Sequence, residues 1–293
     1  MPHTPTLPTQ VLTSEDAQHL RAAATRATTP CGDGHVVWHL WGQGAPVVLL
    51  HGGSGSWTHW LRNIAPLVAA GHQVLAPDLP GFGDSDPPPE GHDADAMPPL
   101  IEAGLSALLG ARPVDLVGFS FGGMVAGLLA AQWPQRVRRL VLVGAPSLST
   151  DPPPVLDLRM WSHVPPGPTR EAVLRHNLAQ LMVHDPGTID DIALAQHTHN
   201  LKREHRRMKR RRLSQTDLLL RTLPGVQAPL WGIWGAEDAL YRGRRDSVPQ
   251  ALARAPRFQS LAWLADAGHW AQYERATAFN VALSHALAAD VPG

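Results

Sequence analysis

Gly118-Phe119-Ser120-Phe121-Gly122 lies between the apolar run 114–117 and a run of small residues with helical spacing. Glycine at positions 118 and 122 lets a strand and a helix approach each other closely at a sharp turn. Ser120 then stands at the helix N-terminus, where free backbone N–H groups favour negative charge. We therefore predict a strand, a tight turn and a helix, with Ser120 exposed as a nucleophile. Taken alone, these five residues are also compatible with an ordinary glycine-rich turn.

Three other segments place polar groups directly after apolar runs that are typical of buried strands. The run 46–50 ends in the loop His51-Gly52-Gly53-Ser54-Gly55, the run 229–234 leads to Asp238, and the run 261–264 leads to His269. The small residues of the first loop let its backbone approach a substrate oxygen. Since the other two groups follow the carboxyl ends of strands, we expect Ser120, Asp238 and His269 to meet at one site.

Each of these residues has a chemical role that suits its type. A serine hydroxyl is a poor nucleophile at its own pKa, and His269 is the base that can take and return its proton near neutral pH. Asp238 is expected to accept the other imidazole N–H and to fix the tautomer. The backbone N–H of Phe121 is expected to bind the oxyanion. Glu237 and Asp246 are rival acids, and the residues alone leave this choice open.

In its order of Ser, Asp and His the chain resembles the α/β-hydrolase family. Five ordered segments carry the resemblance: His51-Gly52-Gly53, residues 76–85 (APDLPGFGDS), the turn at Ser120, Asp238 and His269. The resemblance implies that Asp238, rather than Glu237 or Asp246, is the acid. It also implies that the N–H of Gly53 is a second oxyanion donor beside that of Phe121. Dehalogenases and epoxide hydrolases of this fold carry aspartate at the nucleophile position, so serine there argues against those activities. Asp78 is expected to cap backbone N–H groups rather than to take part in the chemistry.

Apolar runs that alternate with helical patterns predict an α/β protein with a doubly wound sheet. The resemblance implies an α/β-hydrolase fold, with a mostly parallel eight-stranded sheet and an inserted helical cap. We predict a first core segment at 1–146, the helical cap at 147–225 and a second core segment at 226–293. The candidate pocket residues are Ser54, His59, Phe119, Trp161, Met182 and Trp270. For the two cap residues among them, packing against neighbouring helices is the alternative.

Within the family, the chain is similar to the meta-cleavage product hydrolases, which split a carbon–carbon bond in dienoates from ring-opened catechols. The similarity lies in Gly268-His269-Trp270-Ala271-Gln272-Tyr273-Glu274, in Arg62-Asn63-Ile64 and in Leu181-Met182 with His184-Asp185-Pro186. Where that subgroup has two asparagines and a cap arginine, this chain has Phe119, His59 and the stretch Ala195-Gln196-His197. The resemblance implies a serine hydrolase that cleaves a carbon–carbon bond in a dienoate or, alternatively, a carboxylesterase, thioesterase or lactonase. A non-catalytic receptor or scaffold with this fold is a third hypothesis.

The overall composition limits the classes of partner. The chain has 293 residues, of which 44% are hydrophobic, and its formal net charge is zero. We therefore expect no binding of nucleic acid or of a membrane surface, and a small molecule as the substrate. The single cysteine, Cys31, and the lack of an apolar N-terminal segment predict a cytoplasmic protein. A homodimer is a possible assembly by analogy with the family, although no segment predicts an interface.

The run 202–212 holds eight lysines and arginines in eleven positions. We predict a solvated cap helix whose basic residues pair with acids such as Asp190 and Asp191. The alternative is that one arginine, such as Arg203 or Arg207, holds a substrate carboxylate. His197, His199 and His205 lack a carboxylate or cysteine at standard ligand spacing, so we expect neither a metal nor any other cofactor.

Overall fold

The computed structural model describes residues 13–152 and 154–289, and its centre is one eight-stranded sheet. The strands are β1 (Thr25–Cys31), β2 (Gly34–Trp41), β3 (Ala45–Leu50), β4 (His72–Pro77), β5 (Val114–Phe119), β6 (Val137–Val143), β7 (Leu230–Gly235) and β8 (Phe258–Leu264). Their order across the sheet is β1-β2-β4-β3-β5-β6-β7-β8. Strand β2 is antiparallel to both β1 and β4, and all other neighbours are parallel. The predicted fold class is confirmed.

Helices separate the strands and cover both faces of the sheet. They are α1 (Ser14–Ala22), α2 (Ile64–Ala69), α3 (Pro98–Leu109), α4 (Phe121–Gln132), α5 (Pro168–Leu181), α6 (Asp191–Arg203), α7 (Leu218–Thr222), α8 (Ser247–Leu252), α9 (Ala271–Glu274) and α10 (Ala276–Ala288). Parallel strands need such crossover connections, and helices are the usual ones.

The central strands carry continuous apolar runs because both of their faces are buried. In β3, Val48 and Leu50 point into one apolar cluster, while Val47 and Leu49 point into the other. The first cluster lies under α3 and α4, and the second includes Phe279 and Leu283 of α10. Continuous apolar runs are therefore the expected pattern for these strands. This rigid double core fixes the strand ends that carry the polar site.

Helices α5, α6 and α7 form the inserted region between β6 and β7, where the described residues contain no strand. Helix α6 is tied to the core by Asn200, which is 1% exposed. Its Oδ1 accepts a hydrogen bond from Ser56 Oγ (2.9 Å) and its Nδ2 donates to Thr58 Oγ1 (3.1 Å). Among all described residues, no helix is both long and apolar enough to cross a bilayer.

Candidate active site

The turn between β5 and α4 holds Ser120 in a backbone conformation that is unfavourable for a residue with a side chain. Its φ is 50° and its ψ is −120°, and its N–H donates to Val143 O at 2.8 Å. A Cβ on Gly118 would lie 2.5 Å from Gly122 O, and one on Gly122 would lie 2.5 Å from Leu50 O. Only glycine fits at both positions. The tight turn between β5 and α4 therefore explains both the two glycines that flank Ser120 and the strained backbone of Ser120 itself.

The side chains of Ser120, His269 and Asp238 form a continuous hydrogen-bonded chain. Ser120 Oγ lies 2.9 Å from His269 Nε2, and His269 Nδ1 lies 2.9 Å from Asp238 Oδ2. Because a carboxylate only accepts, Nδ1 carries the proton and Nε2 is free to accept from the serine. His269 and Asp238 are each 2% exposed. The arrangement can move a proton from the serine hydroxyl to the imidazole.

Asp238 is fixed by the turn that follows β7. Its Oδ1 accepts from the N–H of Leu240 at 2.9 Å, which leaves Oδ2 for the imidazole. Glu237, the rival acid, is exposed. The two adjacent carboxylates therefore have different surroundings, and the triad geometry involves Asp238.

Two backbone N–H groups beside Ser120 lack a protein acceptor within the described ranges. They belong to Gly53 and Phe121, both of which line the cavity at Ser120. Gly52, by contrast, donates its N–H to His59 Nδ1 at 3.2 Å. Buried N–H groups are rarely unpaired, so a free pair next to a nucleophile is suited to an oxyanion.

A cavity of about 460 Å³ opens above the serine. Ser54, His59, Phe119, Trp161 and Met182 line it, together with apolar residues such as Leu156, Leu158, Leu181 and Leu201. Trp270 was expected to line the pocket too, but it lies behind His59. It is 1% exposed, and its indole N–H donates to His59 O at 3.1 Å. Trp270 therefore supports the wall rather than forming its surface.

Three further histidines lie at or near this cavity: His51 and His59 are buried, and His197 is half-buried. Burial lowers the pKa of His51 and of His197 to about 4, and it lowers the pKa of His59 well below its ordinary value. His51 Nε2 accepts from the N–H of Leu79 at 2.8 Å, which fixes its tautomer. All three are therefore neutral at pH 7, and they add polarity without adding charge.

The basic run does not form one solvated helix, so that prediction was wrong. Helix α6 ends at Arg203, and a 3₁₀ turn follows at Arg206–Arg210. Arg203 pairs with Asp84, and Arg211 turns into the cavity and pairs with Glu204. The acids that we expected to pair with the run have other partners: Asp190 pairs with Arg62, and Asp191 pairs with Arg175.

One group of side chains in the described part of the chain has metal-like spacing, and sequence analysis missed it. Ligand atoms of His39, Asp78 and Asp84 lie within 4.8 Å of one another. Asp78 also accepts the N–H groups of Trp57 and Asp84, both at 2.9 Å, which is the capping role expected of it. Arg26 and Arg203 both pair with Asp84. This positive charge disfavours a cation at the group.

The model of the alpha/beta hydrolase fold family matches residues 45–255, well over half of the chain. The chain belongs to this family. Its curated relatives are named hydrolases, so this α/β-hydrolase is an enzyme that catalyses hydrolysis. That conclusion excludes the hypothesis of a non-catalytic receptor or scaffold.

The hydrolase is similar to enzymes that are named for 2-hydroxy-6-oxo dienoate and dienedioate substrates. A 2-hydroxy-6-oxo-6-phenylhexa-2,4-dienoate hydrolase from Burkholderia cepacia is 30% identical over 82% of this chain and 86% of its own length. A 2-hydroxy-6-oxononadienedioate/2-hydroxy-6-oxononatrienedioate hydrolase from Cupriavidus pinatubonensis is 33% identical over 80% and 83%. The resemblance to meta-cleavage product hydrolases is therefore confirmed.

Solved structures show the same fold. A meta-cleavage product hydrolase from Pseudomonas fluorescens superposes with a TM-score of 0.74 at 24% identity, over 89% of this chain and 97% of that one. A lipase-like protein from Acinetobacter baumannii superposes with a TM-score of 0.77 at 18% identity, over 97% of each chain. At these identities the fold is shared, but the substrate does not follow from the superposition.

Proposed function

We propose that this α/β-hydrolase is a serine hydrolase that cleaves the carbon–carbon bond next to the keto group of a 2-hydroxy-6-oxo dienoate. The observation that carries the catalytic part is the unbroken hydrogen-bonded chain from Ser120 through His269 to Asp238. The dienoate is proposed from the named activities of the relatives from Burkholderia cepacia and Cupriavidus pinatubonensis.

In the proposed mechanism, His269 Nε2 takes the hydroxyl proton as Ser120 Oγ attacks the keto carbon. The carbonyl electron pair becomes an oxyanion, which the N–H groups of Gly53 and Phe121 bind. The 2-hydroxy dienoate reacts as its keto tautomer, in which the hydroxyl proton has moved to the carbon beside the ketone. When the oxyanion collapses, the bond between that carbon and the keto carbon breaks, and its electrons pass into the conjugated 2-oxo enoate to form a dienolate. The dienolate receives the proton from the imidazolium, and the acyl group stays on Ser120 Oγ. A water molecule, deprotonated by His269, then hydrolyses the acyl-enzyme. Asp238 holds the imidazole throughout and stabilises its charged form.

The carboxylate of a dienoate needs a positive partner, and the cavity wall has two candidates. Arg211 is paired with Glu204. Arg244 also lines the cavity but has no carboxylate partner among the described residues, and its guanidinium donates to the backbone oxygens of Leu240, Asp151 and Pro152. We assign the substrate carboxylate to Arg244, because its charge is the one not already compensated.

Ester hydrolysis is the second candidate, and a specific observation favours it. Phe119 is 1% exposed and apolar, and the His59 ring packs against it at 5.5 Å, at positions where the meta-cleavage hydrolases have asparagines. The same triad hydrolyses an ester, thioester or lactone without polar contacts on that wall.

Two measurements test the proposal. A fluorophosphonate probe should label Ser120 in the wild type and not in Ser120→Ala. Turnover of a coloured ring-fission dienoate should then be compared with that of p-nitrophenyl butyrate. Rapid ester hydrolysis with no change in the dienoate would reject carbon–carbon cleavage and keep the serine hydrolase. Failure to label Ser120, or near-normal activity of Ser120→Ala, would reject both.

Arg244→Gln tests the carboxylate contact. We expect the KM for the dienoate to rise about tenfold or more, while the KM for the neutral ester stays within twofold, because a lost charge-assisted contact costs roughly 1.5–3 kcal/mol. The control is Arg245→Gln, since Arg245 is exposed and packs over Trp263. Equal KM changes for the two substrates would contradict the assignment.

We further propose that residues 147–225 act as a cap that closes the site, that the enzyme works in the cytoplasm and that it forms a homodimer. These three remain predictions. Size-exclusion chromatography with light scattering tests the assembly.

A further inference from the structure

The cap segment that follows α6 reaches the loop that carries one of the two oxyanion donors. Glu204 and Arg211 of this segment both contact Ser54, the residue directly after Gly53. The segment is anchored nearby, because the N–H of His205 donates to Gly81 O at 2.8 Å and Met208 is fully buried. A part of the insertion is therefore held against the oxyanion loop.

Ser54 has a backbone conformation that needs outside support. Its φ is 51°, in the left-handed region that a serine enters only at a cost. Its Oγ donates to Glu204 Oε2 at 2.9 Å and accepts from Arg211 Nη2 at 3.3 Å. The groups that hold this side chain in place thus belong to the cap and not to the hydrolase core.

Glu204 and Arg211 behave as one unit. The side chain of Glu204 is 4% exposed and that of Arg211 is 19% exposed, and the two form an ion pair. Arg211 Nη1 also donates to Met208 O at 2.7 Å, and the guanidinium lies over the rings of Phe82 and Phe121. A buried carboxylate without its partner is strongly unfavourable, so loss of either residue releases the other.

The guanidinium also packs directly against Gly53. A Cβ on Gly53 would lie 2.7 Å from Arg211 Nη2 and 3.2 Å from Nε, so a larger residue there would displace the guanidinium. A Cβ on Gly52 would lie 3.2 Å from Ser120 Cβ. The peptide that joins Gly52 to Gly53 and carries the N–H of Gly53 therefore lies between Arg211 and the turn of Ser120. The direction of the Gly53 N–H therefore depends on where the cap holds Arg211 and Ser54.

We propose that Ser54, Glu204 and Arg211, which we name the cap latch, are positioning residues that aim the N–H of Gly53 at the oxyanion. The latch rests on the proposed serine mechanism, but it serves ester and carbon–carbon cleavage equally. Its role is to couple closure of the cap to completion of the oxyanion site, so that the transition state is stabilised only when the cap is seated.

The test uses Glu204→Gln, Ser54→Ala and the double variant of the full-length enzyme, with p-nitrophenyl butyrate as the substrate. Removal of a whole oxyanion donor lowers kcat about 10²- to 10³-fold in other enzymes, so a misdirected donor should lower kcat roughly 10-fold or more. KM should stay within about threefold, because the contact forms with the transition state. Since each substitution breaks the same cap latch, kcat of the double variant should be little lower than that of the less active single variant.

Glu171→Gln is the matched control, because Glu171 is a cap carboxylate that pairs with Arg175 away from the loop. It should keep kcat within twofold. Thermal unfolding of every variant separates misfolding from mispositioning, and the rate of fluorophosphonate labelling should fall in parallel with kcat. The proposal is contradicted if kcat is unchanged, if only KM rises, or if the kcat losses of the two single variants multiply in the double variant. A wild type that the probe does not label at Ser120 would instead reject the serine mechanism itself.

Discussion

At the scale of single residues, Asp238 and Glu237 show how surroundings decide chemistry. Both are carboxylates at the end of β7, but Asp238 is 2% exposed and accepts from His269 and Leu240, whereas Glu237 is exposed. Only the buried carboxylate can fix the imidazole tautomer. Glu237 can therefore serve as the control for a substitution of Asp238.

We predict that Asp238→Asn lowers kcat roughly 10⁴-fold and leaves KM almost unchanged, because an amide N–H in place of Oδ2 favours the wrong tautomer of His269. Glu237→Gln should keep kcat within twofold. Steady-state kinetics with p-nitrophenyl butyrate measures both, and circular dichroism checks the fold. A large loss of kcat in Glu237→Gln, with activity retained in Asp238→Asn, would show that Glu237 and not Asp238 is the acid of the triad.

The polar residues of the site differ in how far the sequence predicts them. Ser120, Asp238 and His269 lie one, three and five residues after the ends of β5, β7 and β8, so the local pattern places them at one sheet edge. Arg211 was not predicted, because the chain leaves the helical path at Glu204 and the 3₁₀ turn then decides which basic side chain faces inward. Glu204, the buried acid that pairs with Arg211, lies within the same basic run, so no separate sequence pattern marks it as a site residue.

At the scale of elements, the β5–α4 turn couples the nucleophile to the sheet. The N–H of Ser120 donates to β6, and a Cβ on Gly122 would meet Leu50 O at 2.5 Å at the end of β3. Strands β3, β5, β7 and β8 were predictable because their apolar runs are bounded by turn residues, whereas β1 has no apolar run. The ends of the helices between β6 and β7 were not predictable, since tertiary contacts rather than local periodicity set them.

We predict that Gly122→Ala destabilises the protein by about 1–3 kcal/mol and lowers kcat, because the new methyl group must push the β5–α4 turn away from β3. Gly225→Ala is the control: its Cβ would lie 3.6 Å from Ala131 Cβ, an ordinary contact, and the residue is exposed. Its effect on the free energy of unfolding should stay within about 0.5 kcal/mol. Urea denaturation compares the two, and equal stabilities would contradict the steric account.

At the scale of the whole molecule, buried histidines make stability depend on pH. Burial lowers the pKa of His39, His51 and His197 to about 4, and it lowers the pKa of His59 well below its ordinary value. Unfolding restores ordinary values near 6.5, so between about pH 6.5 and 4 the unfolded chain binds protons that the folded chain does not. Burial raises the pKa of Asp78 to about 6, so this carboxyl acts in the opposite direction.

We therefore predict that the free energy of unfolding falls as the pH drops from 6.5 towards 4. Four histidines against one carboxyl give a net uptake of about three protons near pH 5, which sets an upper limit of about 4 kcal/mol per pH unit on the slope. His39→Gln should reduce this slope by about one proton, whereas His19→Gln should not, because the His19 side chain is 72% exposed. Urea denaturation at half-unit pH steps measures the slope. A slope in His39→Gln equal to that of the wild type would mean that His39 is not a buried neutral group, whatever the variant's stability at pH 7.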